Sequence, residues 1–233
     1  MRTVSIIGLG YFGKPLGLAL KERGFQVKGS TRSAEKVTEL NALGLNTFEL
    51  NYPNFNTRLI ENAEILVLNI PPFENSLEWM KSFALPQNLW VIFISSTSGK
   101  DILLEQEAWV KEYFNKWTIV RFSGLYGGGR HPGNSLSGKK NLKGQNWPVN
   151  LIHRDDCVEF IKIVIDKDLH HSTYTLTANE HPTRKDFYTQ YCLAKGLPIP
   201  EFDPEDESQK KPVSNDEMRK FFNPRNLMDC LKN

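Results

Sequence analysis

The chain has few cysteines, little net charge and no long apolar run, and each shortage narrows what it can be. Its three cysteines, Cys157, Cys192 and Cys230, are odd in number, widely spaced and without a CxxC pair. That pattern excludes a disulfide framework and fits free thiols in a reducing compartment, so the expected location is cytoplasmic. No apolar stretch approaches the ~20 residues needed to span a bilayer. The opening "MRTVSIIGLGYFG" runs straight from apolar residues into glycines and reads as a strand, not a signal peptide. A formal net charge of +2 gives no case for a nucleic-acid or membrane partner. The basic stretch "GKKNLKG" (138–144) reads as a solvated loop. His170 and His171 have no ligand partners at zinc spacing, so no metal site is expected. What remains is a globular protein, monomer or homodimer, whose expected partner is a small-molecule substrate.

What is present is an alternation of two periods. Short β-branched or apolar runs at 3–9, 25–31, 63–72, 88–97 and 117–127 read as strands. Runs with helical spacing at 14–24, 33–44, 100–116 and 154–166 lie among them. Strands alternating with helices of this length imply right-handed crossovers and a parallel sheet. After residue 127 the chain turns rich in Gly, Asn and Ser, and residues 127–150 read as a long loop of the substrate cleft. A strand at 172–179 and a helix at 183–196 follow, then a proline-rich charged connector. The expected fold is α/β, a Rossmann-type doubly wound parallel sheet over residues 1–178, with a small C-terminal substrate lobe over 179–233.

Gly8, Gly10 and Gly13 form G-x-G-x-x-G between the first strand and the first helix, the context in which that pattern signals a dinucleotide. Gly8 allows the tight turn, Gly10 admits a pyrophosphate close to the backbone, and Gly13 lets helix and strand pack. The N–H groups of this turn, through Tyr11 and Phe12, and the helix dipole then face the phosphates. An acidic residue at the end of the second strand, ~20 residues on, would favour NAD. Here the chain reads "KGSTRS" (28–33) instead. Thr31 and Arg32, with the hydroxyls of Ser30 and Ser33, suit a 2′-phosphate, so the expected cofactor is NADP, with NAD as the lesser alternative.

Four further stretches, "ISST" (94–97), "VRFSGLYGGGRHPG" (120–133), "VNLIHRDDCVEFI" (149–161) and "KKPVSNDEMRKFF" (210–222), resemble in order and spacing the extended and atypical short-chain dehydrogenase/reductases. More narrowly, they look like the NAD(P)-dependent nucleotide-sugar epimerase/dehydratase-like proteins of that superfamily. The resemblance implies that "LNIPP" (68–72) brings Asn69, Ile70 and Pro71 to the cofactor. It also implies that Ser96 and Thr97 lie beside cofactor and substrate, that Tyr126 lies near the nicotinamide, and that Arg130, His131 and His153 line the substrate cleft. The residues alone allow a second role for the Ser/Thr cluster, as N-cap of the helix starting near Lys100. Arg121 reads as a structural ion pair, and Asp155 and Asp156 as carboxylates that offset a helix dipole.

The family's Tyr-x-x-x-Lys pair should lie on the helix after "ISST". That helix, "KDILLEQEAWVKEYFNK", has only Tyr113, with Trp117 four residues on. Tyr191 and Lys195 of "YCLAK" have the spacing but lie about ninety residues downstream, where i and i+4 share a helix face by geometry alone. They read as ordinary helix, with Tyr191 packed beside Phe187 and Tyr188. With that pair missing, Thr97 and Tyr126 stand as the catalytic candidates. The expected function is an epimerase/dehydratase-like or oxidoreductase-like protein acting on a nucleotide-sugar or related carbonyl or alcohol. The alternative is a non-catalytic NADP(H)-binding sensor or partner protein. "GLGYFGKPLGLAL" also resembles the start of hydroxyacid and nucleotide-sugar dehydrogenases with large helical C-terminal domains, for which the remaining chain is short.

Overall fold

The apolar runs pair as parallel strands because each is flanked by a helix on its way to the next. In the computed structural model, which describes residues 2–231, β1 (Thr3–Ile7), α1 (Gly13–Glu22), β2 (Gln26–Thr31), α2 (Ala34–Ala42) and β3 (Asn46–Glu49) follow one another. Next come β4 (Ile65–Leu68), α3 (Ser76–Lys81), β5 (Trp90–Ser96), α4 (Asp101–Tyr113) and β6 (Lys116–Phe122). The remaining elements are β7 (Gly124–Tyr126), α5 (Pro132–Leu136), β8 (Leu151–His153), α6 (Arg154–Asp166), β9 (Ser172–Leu176), α7 (Arg184–Ala194) and α8 (Asp216–Arg219). A seven-stranded sheet has the order β3-β2-β1-β4-β5-β6-β9. Its β1–β2, β1–β4, β2–β3 and β4–β5 ladders are parallel, with Ser5 opposite Lys28 and Leu66, and Leu68 opposite Phe93. This is the doubly wound Rossmann order, and the reversal at β1 puts the ligand crevice at the carboxyl ends of β1 and β4.

The chain divides into two compact units, one running to Arg121 with Val158–Tyr174, the other Phe122–Cys157 with Thr175 onward. In the first, Ile7, Leu66, Leu68, Val91, Phe93, Leu103, Val110 and Ile119 form one buried cluster. Each such side chain contributes roughly 1.5–3 kcal/mol by leaving water. In the second, Tyr126, Val149, Leu151, Phe187, Tyr188 and Leu227 form a smaller core around the two-stranded β7–β8 sheet.

Several elements depart from the sequence expectation. The run 117–127 is not one strand. It breaks at Ser123, whose N–H donates to Leu176 O (3.0 Å) while the next N–H, of Gly124, donates to Asn150 O (3.1 Å), so consecutive residues serve different partners. Tyr126 therefore belongs to the β7–β8 sheet. The edge strand β3 and the short α3, α5 and β8 carry too few periodic residues to be read locally. Loop 127–150 contains α5 and clusters with residues 175 onward. Among the described residues, no helix is long and apolar enough to cross a membrane.

Candidate functional site

The glycine turn is braced from both neighbouring strands. Gly8 N–H donates to Ser30 Oγ on β2 (3.1 Å), and Asn69 Nδ2, just past β4, donates to Gly8 O (2.9 Å). Leu9 N–H donates to Ser30 O (2.6 Å) and Asn69 N–H to Ile7 O (3.0 Å). Gly8 has φ +105°, and a Cβ there would overlap the Asn69 carbonyl oxygen. A Cβ on Gly13 would overlap the Gly8 carbonyl, whereas one on Gly10 would meet nothing within 4 Å. Two glycines are thus fixed by packing, and the third faces open space, which is the room a pyrophosphate requires. No side chain caps the start of α1, so the first-turn amides are not claimed by a capping oxygen. The Phe12 ring is 3 % exposed and belongs to the core, so only its backbone is placed for a ligand.

At the end of β2, Arg32 is exposed and Thr31 half-buried. The hydroxyls expected to assist them are committed elsewhere. Ser30 is occupied by Gly8, and Ser33 caps α2, its side chain accepting from Lys36 N–H at 3.4 Å. Past β4, Asn69 braces the turn with its side chain, Ile70 packs against the core and Pro71 is exposed.

Past β5, the Ser/Thr cluster does not cap α4. The N-cap there is Lys100, with no side-chain bond, while Ser96 Oγ accepts from Ser98 N–H (3.2 Å) in a local turn. Thr97 is half-buried beside it. Ser95, one residue earlier, donates to Glu107 Oε1 (2.7 Å) on α4. Arg121 grips the same carboxylate with Nε at 2.9 Å and Nη2 at 2.6 Å, the bidentate fork that suits guanidinium and carboxylate. Hydrogen bonding to Glu107 raises the Arg121 pKa. The expected structural ion pair of Arg121 is present, and Glu107, 3 % exposed, is its partner. Sequence reading had no signal for Glu107, which sits among other acidic residues of an amphipathic helix. Tyr113 Oη donates to Leu85 O (3.0 Å) near the end of that helix.

The second unit holds a cavity of about 360 Å³ lined by Tyr126, Arg130, His131, His153, Tyr191 and Lys195, with Arg225, Asp229 and Cys230. Three cationic residues there face one lining carboxylate, which favours an anionic guest. Arg225 is itself neutralised by Asp156, whose oxygens accept from its Nε (2.8 Å) and its N–H (2.9 Å). Asp155 and Asp156 both sit in the first turn of α6. A Cβ on Gly127, which has φ +101°, would overlap the His153 ring, so glycine is what lets that imidazole approach.

His153 Nδ1 accepts from Asp155 N–H (3.2 Å), and its ring meets Tyr126 edge-on at 5.0 Å. Burial lowers its pKa, with Arg225 adding to the effect. His131 Nδ1 accepts from Gly133 N–H (3.1 Å), its ring stacks on Tyr191 at 3.7 Å, and burial takes its pKa down to about 4. Both imidazoles are therefore neutral at pH 7. Tyr126 is 3 % exposed, and burial raises its pKa well above that of free tyrosine. That opposes a readily ionised phenol. Tyr191 is a structural phenol here, donating to Asn134 Oδ1 (2.8 Å). Its stacking partner, His131, was not legible from helix spacing.

The sequence profile described as the NAD binding domain of 6-phosphogluconate dehydrogenase matches residues 3–98. Protein YeeZ of Escherichia coli (strain K12) is 28 % identical, the alignment covering 87 % of each chain. Among solved structures, a short-chain dehydrogenase/reductase superfamily protein from Agrobacterium tumefaciens with bound NAD superposes with TM-score 0.76 at 14 % identity. That match covers 99 % of this chain and 94 % of the other. UDP-glucose 4-epimerase from Thermotoga maritima, with UDP-glucose, gives TM-score 0.76 at 15 % identity, over 100 % and 96 %. From its glycine turn to its second unit, the chain has the fold of the short-chain dehydrogenase/reductase and epimerase structures.

Proposed function

We propose that the chain binds a nicotinamide dinucleotide on its glycine cradle, NADP(H) in preference to NAD(H). With it, the chain acts as an epimerase/dehydratase-like or oxidoreductase-like enzyme on an alcohol or carbonyl of an anionic small molecule such as a nucleotide-sugar. The observation that carries this reading is the cradle itself: Gly8 and Gly13 admit no Cβ, while Gly10 faces open space. Exposed Arg32, with no carboxylate in "KGSTRS", favours a 2′-phosphate. When bound, the nicotinamide supplies or accepts the hydride. The chain's own part is to bind, orient and handle one proton, and Thr97 beside β5 is the hydroxyl assigned to the substrate oxygen. Within the second unit, Arg130 and Lys195 line a cavity of its own that suits an anionic group. The reading keeps the catalytic set free of a Tyr-x-x-x-Lys pair.

A non-catalytic NADP(H)-binding sensor or partner protein is the second reading, and one observation favours it. Ser95 and Arg121 both bond Glu107 on α4, the helix on which the resembling family carries its Tyr/Lys pair, so the polar groups there are committed to structure. Calorimetric titration with NADPH and NADH, repeated on Arg32→Ala, tests the common part. The expected result is NADPH binding at least about tenfold tighter, with that preference lost in the variant. Binding of neither cofactor overturns both readings. Turnover of NADPH with a carbonyl substrate, reduced in Thr97→Ala, favours the enzyme.

A further inference from the structure

Two aromatic side chains stand out at the carboxyl edge of the first unit because they are exposed and have no part in the core. Tyr52, three residues past β3, is 57 % exposed, and Phe73, past β4, is 38 % exposed. Their strands are not neighbours. In the order β3-β2-β1-β4 they are three spacings apart, or ~14 Å at the usual strand separation. Yet the two rings meet edge-on with centroids 5.8 Å apart. The segments that follow β3 and β4 have therefore converged above the sheet edge.

The base of this arrangement is fixed. Trp79, 7 % exposed, donates its indole N–H to Pro53 O (3.1 Å) and packs 5.9 Å from Tyr52 and 5.6 Å from Phe73. Behind it Phe83 meets Trp79 at 4.9 Å and stacks on Phe55 at 4.1 Å. The tip is thus an exposed apolar corner on a fixed base, its two rings inclined at 81°, so a planar guest lying face-on to one ring meets the other at its edge.

Its position names the guest. Leu50 N–H donates to Thr31 O (2.9 Å), so the chain leaves β3 alongside the end of β2, where Arg32 begins. Phe73 follows the Asn69 turn that is bonded to Gly8. A dinucleotide with its pyrophosphate at the start of α1 runs its adenosine half toward the end of β2. We infer that Tyr52 and Phe73 form a two-ring stacking platform for the adenine base, which lies face-on to one ring and edge-on to the other. The inference rests on the dinucleotide reading of the glycine cradle. Face stacking of a base on an aromatic ring changes affinity by about ten- to a hundredfold. Neither residue belongs to the glycine motif, and no sequence pattern marks either.

The test is calorimetric titration of the full chain with 2′-phospho-ADP-ribose, which carries the adenosine half and no nicotinamide. Four variants are compared: Tyr52→Ala, Phe73→Ala, Tyr52→Phe and Gly8→Val. Both alanine variants should weaken binding about tenfold or more while staying folded at the titration temperature, with a small loss of thermal midpoint because each ring also touches Trp79. Tyr52→Phe should bind as the wild type does, because the ring and not the hydroxyl stacks. Wild-type affinity in both alanine variants, with Gly8→Val inactive in binding, overturns the platform and leaves the cradle standing. No binding by the wild-type chain overturns the cradle and the platform together. A change in sedimentation on Tyr52→Ala at constant nucleotide affinity would make the patch a protein interface and also overturn the platform.

Discussion

The glycine cradle of the first unit and the histidine-lined cavity of the second are built by opposite means. The cradle is made of backbone. One six-residue turn supplies its shape, and Ser30 and Asn69 clamp it through bonds to Gly8. The cavity is made of side chains from four separated stretches, with residues 126–134, His153, 191–195 and 225–230 meeting around two neutral imidazoles. A backbone site admits no Cβ where its glycines pack, here Gly8 and Gly13, and is readable as a motif. A side-chain site depends on which distant residues the fold brings together, and no spacing records that.

The largest expected effect lies in the cradle. Gly8→Val combines an unfavourable φ with overlap on the Asn69 carbonyl. It should cost about 3 kcal/mol in urea unfolding and remove nucleotide binding. If it binds NADPH normally, the contrast between the two regions is broken at its root.

Next is the ion pair behind β5. Glu107→Ala leaves Arg121 without its bidentate partner and Ser95 without its acceptor, and should cost about 2 kcal/mol. The figure is set below that for a fully buried pair because the Arg121 side chain is 33 % exposed. A negligible loss by denaturant titration would show the pair to be dispensable.

The cavity should announce itself through pH. His131 protonates near 6.5 when unfolded and near 4 when folded, through burial and then Lys195. Between those values the unfolded chain binds more protons, so stability falls as pH drops from 6.5 toward 4. The loss should be on the order of 1–2 kcal/mol, allowing for solvent screening of a ring that is not fully enclosed. His153, lowered by the same cause, acts in the same sense. His131→Phe keeps a ring against Tyr191 and should flatten that part of the stability–pH curve. An unchanged curve would refute the buried neutral imidazole.

The smallest effect is expected at "YCLAK". Tyr191→Phe keeps the stack on His131 and loses one bond to Asn134, worth about 1 kcal/mol. Nucleotide affinity should not change. Turnover abolished in that variant, with its fold intact, would make this tyrosine catalytic and reverse the assignment.

The same division explains what the sequence made legible. The runs at 3–9, 63–72 and 88–97 could be read because buried parallel strands are largely apolar, and 25–31 because it lies between two helical runs. The strands within them pair in parallel. Gly8, Gly10 and Gly13 could be read because the motif follows a strand and opens a helix. The break at Ser123 could not, since it depends on Leu176 and Asn150, far along the chain. Nor could Glu107, because a buried carboxylate on an amphipathic helix resembles its solvated neighbours until Arg121 is brought to it. Tyr126 was legible as a position but not in its state, since a β7 residue in the core of the second unit is desolvated in a way the "YG" turn does not encode.

The central claim, that the glycine turn is a dinucleotide cradle, is tested most directly by following backbone amide resonances during titration with NADPH. The account predicts saturable shifts at Gly8, Gly10, Tyr11 and Gly13 together with Arg32, all on one binding curve. Saturation without movement of those amides, or no binding at all, would contradict it.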